Sequence, residues 1–179
     1  MGITSKKALG VLRYHAGDNA IIHIDGTYGV NAHRFPLYLV GVTDRAGRMH
    51  ILAPFLTDQE TEQAIETMFR EAFAEYTALF RQRAQARIKY VMSDGALEIW
   101  SACRRGDNVE GPLFDPGTKH LMCYFHVVLR CKERCLRRDL RQHWPAIHGD
   151  IEAMHYARNQ VELDGLLLAV SSRWPPEFF

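Results

Sequence analysis

The chain has 179 residues, 47% of them hydrophobic, 11% aromatic and 24% charged, and its formal net charge is only +1. That balance excludes a disordered chain and a strongly basic tail protein, and the length suits one domain that buries about 70% of its unfolded surface. No apolar run approaches the roughly 18 residues of a spanning helix, no signal-peptide core is visible, and four cysteines are too sparse for a disulfide scaffold, so an intracellular protein without a membrane partner is expected.

Residues 1–18 read as a lead-in segment. Asn19 to Ile24 is short, β-branched and bounded by Gly17-Asp18 and Gly26, which predicts a first strand. Pro36 to Val42 and Met49 to Leu56 are two more strands, joined through Asp44-Arg45-Ala46-Gly47 with Gly47 suited to a left-handed turn position. Thr57, with Glu60 three residues on, has the pattern of a capping box. Ile65, Met68, Phe69, Ala72, Phe73, Tyr76, Leu79 and Phe80 then recur at helical spacing, predicting a helix over 58–82.

Ile88 to Ser93 predicts a fourth strand, Gly95 to Cys103 the first turns of a second helix, and Arg104 to Thr118 a loop. His120 to Tyr124 predicts a fifth strand running into a basic helix over 125–143, whose apolar face uses Val128, Cys131, Cys135 and Leu136. Asp150 is placed to cap a last helix with the stripe Ile151, Met154, Ala157, Val161 and Leu163, weakened by Gly165 and Pro175-Pro176. The order β-β-β-α-β-α-β-α specifies an α/β fold with a mixed five-stranded sheet flanked by helices.

Two strands finish alike, in Ile24-Asp25-Gly26 and Ser93-Asp94-Gly95. Asp-Gly is a common turn dipeptide, but neither pair sits in a two-residue hairpin. A right-handed crossover through the long helix returns the fourth strand beside the first, which sets Asp25 and Asp94 side by side. Adjacent carboxylates call for a proton or a cation, and hard oxygen donors select Mg²⁺ or Mn²⁺, the ions of in-line phosphodiester chemistry.

Those residues carry a family resemblance. The stretch from Ile24-Asp25-Gly26 to Phe69, the segment YVMSDGALEIW, and HLMCYFHVVLR with its Cys123-x-x-His126 pair are similar to the Mutator-like element (MULE) transposase domain over about residues 19–145. The resemblance implies a ribonuclease H-like core with a D-D-E acid triad. Such a core performs metal-dependent DNA cleavage and strand transfer, with two metal ions, and acts in the nucleus of a eukaryote. It assigns Asp25 and Asp94 as the first two acids and metal ligands, with Cys123 and His126 supporting the site. It also implies DNA as partner, with a homo-oligomer allowed and no small-molecule substrate. The family's third acid, a glutamate, is not identifiable. Glu152 and Glu162 are the helix-borne candidates, exposed amphipathic-helix glutamates being the alternative. Residues 146–179 therefore read as the start of a truncated insertion.

Cys123, His126, Cys131, Cys135 and His143 fall close together, but their spacing matches no zinc signature, and Cys131 and Cys135 also fit an apolar stripe, so zinc is not expected. Lys119 to His143 holds seven basic residues against two acids, and Thr57 to Glu75 one against six. The cluster Arg130, Lys132, Arg134, Arg137, Arg138 and Arg141 is suited to a phosphate backbone, or else forms a solvated face with local ion pairs. Three functions follow: a transposase core, a catalytically inactive transposase-derived DNA-binding or interaction protein, and a ribonuclease H-like nuclease acting on RNA or hybrids.

Overall fold

The computed structural model describes residues 2–104 and 111–179, so part of the expected loop 104–118 lies outside the described residues. The chain divides into two compact units, Met1–Met122 and Cys123–Phe179.

The first unit is built on strands β1 (Ala20–Thr27), β2 (Leu37–Thr43), β3 (Met49–Leu56), β4 (Ile88–Ser93) and β5 (Lys119–Met122), in the order β3-β2-β1-β4-β5. β1, β2 and β3 are antiparallel, and β4 and β5 run parallel to β1. This is the expected mixed five-stranded sheet. Alternation along β1 buries Ala20, Ile22 and Ile24 on one face and leaves Ile21, His23 and Asp25 on the other. The buried face meets helix α2 (Glu62–Phe80), whose Ile65, Phe69 and Tyr76 are fully buried, together with α1 (Lys6–Tyr14) and α3 (Leu97–Arg104).

Several elements differ from the sequence reading. Residues 6–14 form a helix capped by Ser5, whose hydroxyl accepts from Ala8 N–H, and its Leu9 and Leu12 enter the core. The second helix begins at Glu62, not at residue 58. Thr57 is engaged in a local turn with Gln59, and Thr61 supplies the cap by accepting from Ala64 N–H. β1 continues through Asp25-Gly26-Thr27, because β2 still pairs with it there.

The second unit holds α4 (Tyr124–Arg137), α5 (Trp144–His155) and α6 (Gln160–Arg173) around Cys135, Leu140, Ile147, Ile151 and Phe178. The basic helix stops at Arg137 because Asp139 turns left-handed (φ 55°) and Leu140 N–H donates back to the Cys135 carbonyl at 2.7 Å. The expected last helix is two helices. Asp150 lies inside α5, where its carboxylate accepts from Arg173 (2.7 Å) and from Trp174 Nε1 (2.8 Å). Asn159 caps α6, and Gly165 sits within it. Among the described residues, no helix is long and apolar enough to cross a membrane.

The β2–β3 turn has the expected left-handed Gly47 (φ 77°) and is held by buried Asp44. Its Oδ1 accepts from Ala46 N–H and Arg48 N–H, and its Oδ2 from Arg48 Nε and His50 Nε2. The His50 bond, then those from Arg48, hold this carboxyl well below its ordinary 3.8. A depressed carboxyl pKa stabilises the fold above the unfolded-state value and loses that contribution as pH falls. The melting-temperature gap between the native chain and Asp44→Asn should therefore be wide above about pH 5, begin to narrow below about pH 4 and vanish only as pH falls through the depressed native value; a gap as wide at about pH 2 as at pH 7 would contradict it.

Candidate functional site

β1 and β4 pair in parallel through Ile22↔Val91 and His23↔Met92. Two residues beyond that last pair stand Asp25, still within β1, and Asp94, just past the end of β4. Asp25 is exposed on the sheet face opposite α2, within β1 and in register with Leu39 of β2. Asp94 lies one residue beyond β4, where the chain leaves the sheet.

The two Asp-Gly pairs look alike in sequence and use their glycines differently. A Cβ on Gly26 would stand 3.1 Å from Tyr38 Cε1 and 3.3 Å from Tyr28 Oη, so glycine lets these tyrosines lie close across the strand. Gly95 instead adopts φ 80°, a left-handed conformation that swings the chain out of β4 towards α3. Asp94 Oδ1 accepts from Ala96 N–H at 2.9 Å, closing the same turn.

The turn is anchored from below. Ser93 is 1% exposed; its Oγ accepts from Gly95 N–H and is hydrogen-bonded to His120 Nε2 at 2.8 Å. His120, on β5, stacks against Trp100 of α3 with ring centroids 4.2 Å apart. The hydroxyl thus ties β4, β5 and the Asp94 turn together.

Residues that sequence reasoning did not select also gather here. Burial pushes the Tyr38 phenol up to about 12, with the carboxylates of Glu60, Glu98 and Asp94 adding to the rise and the Tyr28 hydrogen bond opposing it. Burial, and after it the nearby Glu60 carboxylate, raises Tyr28 as well. Both phenols stay protonated and able to donate at neutral pH. Glu98 follows Asp94 by four residues, a usable sequence signal; the approach of Glu60 depends on where α2 begins and had none.

In the second unit, Cys123 immediately precedes α4 and its carbonyl accepts from Val127 N–H, while half-buried His126 occupies the first turn edge-on to Phe125. Cys131 packs against the core and Cys135 is within it, and burial raises both thiol pKa values, which keeps them protonated. Arg130, Arg134, Arg137 and Arg138 follow i, i+4, i+7 and i+8 spacing along one stripe of α4, and Lys132 lies off it. Arg141 is in the turn beyond. Arg137 pairs with Glu133 at 2.9 Å, and Arg134 lies over the Phe178 ring at 5.6 Å and donates to the Phe179 carbonyl. A groove of about 860 Å³ runs along this stripe. Glu152 is exposed on α5. The Glu162 carboxylate accepts from Arg158 N–H and Nε, which lowers its pKa. Among the described residues, no group of three His, Cys, Asp or Glu is disposed to hold a metal ion.

Residues 21–130 match the model of the MULE transposase domain family. Among solved structures, the X-ray crystal structure of Marinitoga piezophila Argonaute in complex with 5′ OH guide RNA matches at 21% identity and a TM-score of 0.32, covering 54% of this chain and 15% of that one. No curated protein matches the chain.

Removing the Ser93 hydroxyl strips a partner from both His120 and the Gly95 N–H. Ser93→Ala should cost about 1–3 kcal/mol in urea denaturation. A cost below about 0.5 kcal/mol would show that the hydroxyl does not anchor the turn.

Proposed function

The chain belongs to the MULE transposase domain family, and from that premise we propose that it is the catalytic core of a DDE-type transposase, cleaving DNA and transferring its strands. The observation that supports this reading is the register of β1 and β4, whose last pair, His23↔Met92, lies two residues before Asp25 and Asp94.

The donor set fits a hard divalent ion. Mg²⁺ binds through one or two carboxylates and fills its remaining positions with water and substrate phosphate, and Mn²⁺ accepts the same oxygen donors. When bound, such ions polarise the phosphodiester and lower the pKa of the attacking hydroxyl or water. Asp25 presents its carboxylate from a strand paired along its length to β2, and Asp94 from a turn fixed by Ser93 and Gly95, so both are preorganised. Protonated Tyr28 and Tyr38 offer hydroxyl donors beside them. Arg130, Lys132, Arg137, Arg138 and Arg141 would engage DNA phosphates, with Arg134 stiffening the groove through its contacts to Phe178 and Phe179. Cys123 and His126 retain the site-supporting role that the family resemblance implies, and Glu152 and Glu162 stand as candidates for the third acid. An intracellular location, nuclear in a eukaryote, and assembly into homo-oligomers go with this reading.

A second reading starts from the third acid, which the sequence does not identify: a transposase-derived protein that binds DNA without cutting it. Two measurements separate them. In the first reading, Asp25→Asn and Asp94→Asn each lower Mg²⁺- or Mn²⁺-dependent plasmid nicking by about 100-fold or more, some 2.7 kcal/mol of barrier, while DNA binding is retained. Nicking unchanged in both variants removes the assignment. In the second, gel shifts show salt-sensitive binding with no metal requirement, and no nicking. Under both, replacing Arg130, Arg137 and Arg138 by Gln flattens the salt dependence of duplex binding by about 0.9 for each phosphate that is no longer neutralised.

A further inference from the structure

A cavity of about 720 Å³ opens in the first unit between α1, the β2–β3 turn and the end of α2. It lies at the other end of β1 from Asp25: Asp44 follows Thr43, which pairs with Ile21, about 13 Å of strand from Asp25. The walls are Val11, Tyr14 and Phe80, the two rings meeting edge to face at 6.0 Å. The rim carries Lys6, Lys7 and Arg48.

The charge on that rim is unbalanced. The cavity's one carboxylate, Asp44, has both oxygens occupied by the turn's N–H groups, Arg48 Nε and His50. Lys6 and Lys7 are exposed and enter no ion pair among the described residues. Arg48 is the cation paired with Asp44, at 3.0 Å, so Lys6 and Lys7 are left, among the described residues, as two permanent cations without a counter-ion beside walls of Val11, Tyr14 and Phe80.

Gly10 is the second anomaly. It sits inside α1, where glycine costs about 1 kcal/mol relative to alanine. Its φ is not left-handed, and a Cβ there would stand 3.7 Å from Tyr14 and 4.0 Å from Phe80, ordinary contact distances. The fold has room for a methyl group and does not use it; the missing side chain leaves the cavity open between the two rings.

We infer that this cavity is a binding site for a nucleobase joined to a phosphate, the ring lying against Tyr14 and Phe80 and the phosphate held by Lys6, Lys7 and Arg48. The source is either a free nucleotide or an unpaired nucleotide of a strand. The inference rests on the DNA-partnered reading only in choosing a nucleotide among aromatic anions, and it is independent of the Asp25–Asp94 site.

Calorimetric titrations of the full chain at low salt with dAMP, and with a short single-stranded oligodeoxythymidine, test it. The oligonucleotide arm uses the R130Q/K132Q/R137Q/R138Q/R141Q background, which removes the phosphate contacts proposed for the basic helix and the turn after it. Saturable binding is expected. K6Q/K7Q should weaken it about tenfold and, for the oligonucleotide, reduce the salt slope by about 1.4, two phosphates at about 0.7 each. Tyr14→Leu should weaken it several-fold. Gly10→Ala should raise the melting temperature while lowering affinity, a pairing that general damage to the fold does not produce. Binding of dAMP identifies the free nucleotide, and binding of the oligonucleotide alone identifies the strand. If neither ligand saturates, or if affinity is indifferent to K6Q/K7Q and Tyr14→Leu, the inference is overturned. Metal-dependent nicking is read separately through Asp25→Asn and Asp94→Asn, so a failure here is distinct from a failure of the transposase reading.

Discussion

The parallel pairing of β1 with β4 is the constraint on which the first unit depends. It joins residues some seventy positions apart, such as Ile22 and Val91, and so requires the β2–β3 hairpin and α2 to be accommodated in a single crossover. The hairpin adds to one side of the pair, β5 to the other, and α2 covers the face that Ile22, Ile24 and Val91 present. The same pairing brings Asp25, and the segment just past β4 that carries Asp94, to one end of the sheet.

The turn that places Asp94 shows how little sequence separates a strand that ends from one that runs on. Asp-Gly occurs at both β1 and β4, yet only the second is a chain reversal, set by a left-handed glycine and by Ser93 fastened to His120. At the first, the strand runs on and the glycine serves the tyrosines that cross it. Asp25 therefore has the rigidity of a paired strand, and Asp94 that of a hydrogen-bonded turn.

What is legible in the sequence is what depends on local periodicity. The hairpin with Gly47, the apolar stripe of α2, the five strands and the likeness of the two Asp ends all follow from residues near one another in the chain. α1 is hard to see because only Leu9 and Leu12 give it a buried face between lysines and a glycine. The second unit departs from the sequence reading where an apolar stripe continues across breaks: the left-handed Asp139 ends α4, Pro145 opens α5 and Asn159 opens α6. The company that Tyr38 keeps with Glu60 and Glu98 is not legible, since it depends on the register of β2 against β1 and on α2 starting at Glu62 rather than four residues earlier.

The near-zero net charge is a cancellation between separate surfaces, and the sheet decides what that means for an anionic partner. The acidic residues Glu71 and Glu75 are exposed on α2, which packs on the face carrying Ile22 and Ile24. Asp25 stands on the opposite face, with Ile21 and His23. A phosphate backbone approaching Asp25 from that face has the whole thickness of the sheet between it and the acids of α2, well screened at physiological salt. The acids of α2 thus stand behind the sheet from Asp25, while Glu60 and Glu98, which approach Tyr38 together with Asp94, add to the negative charge that an anion meets at this end.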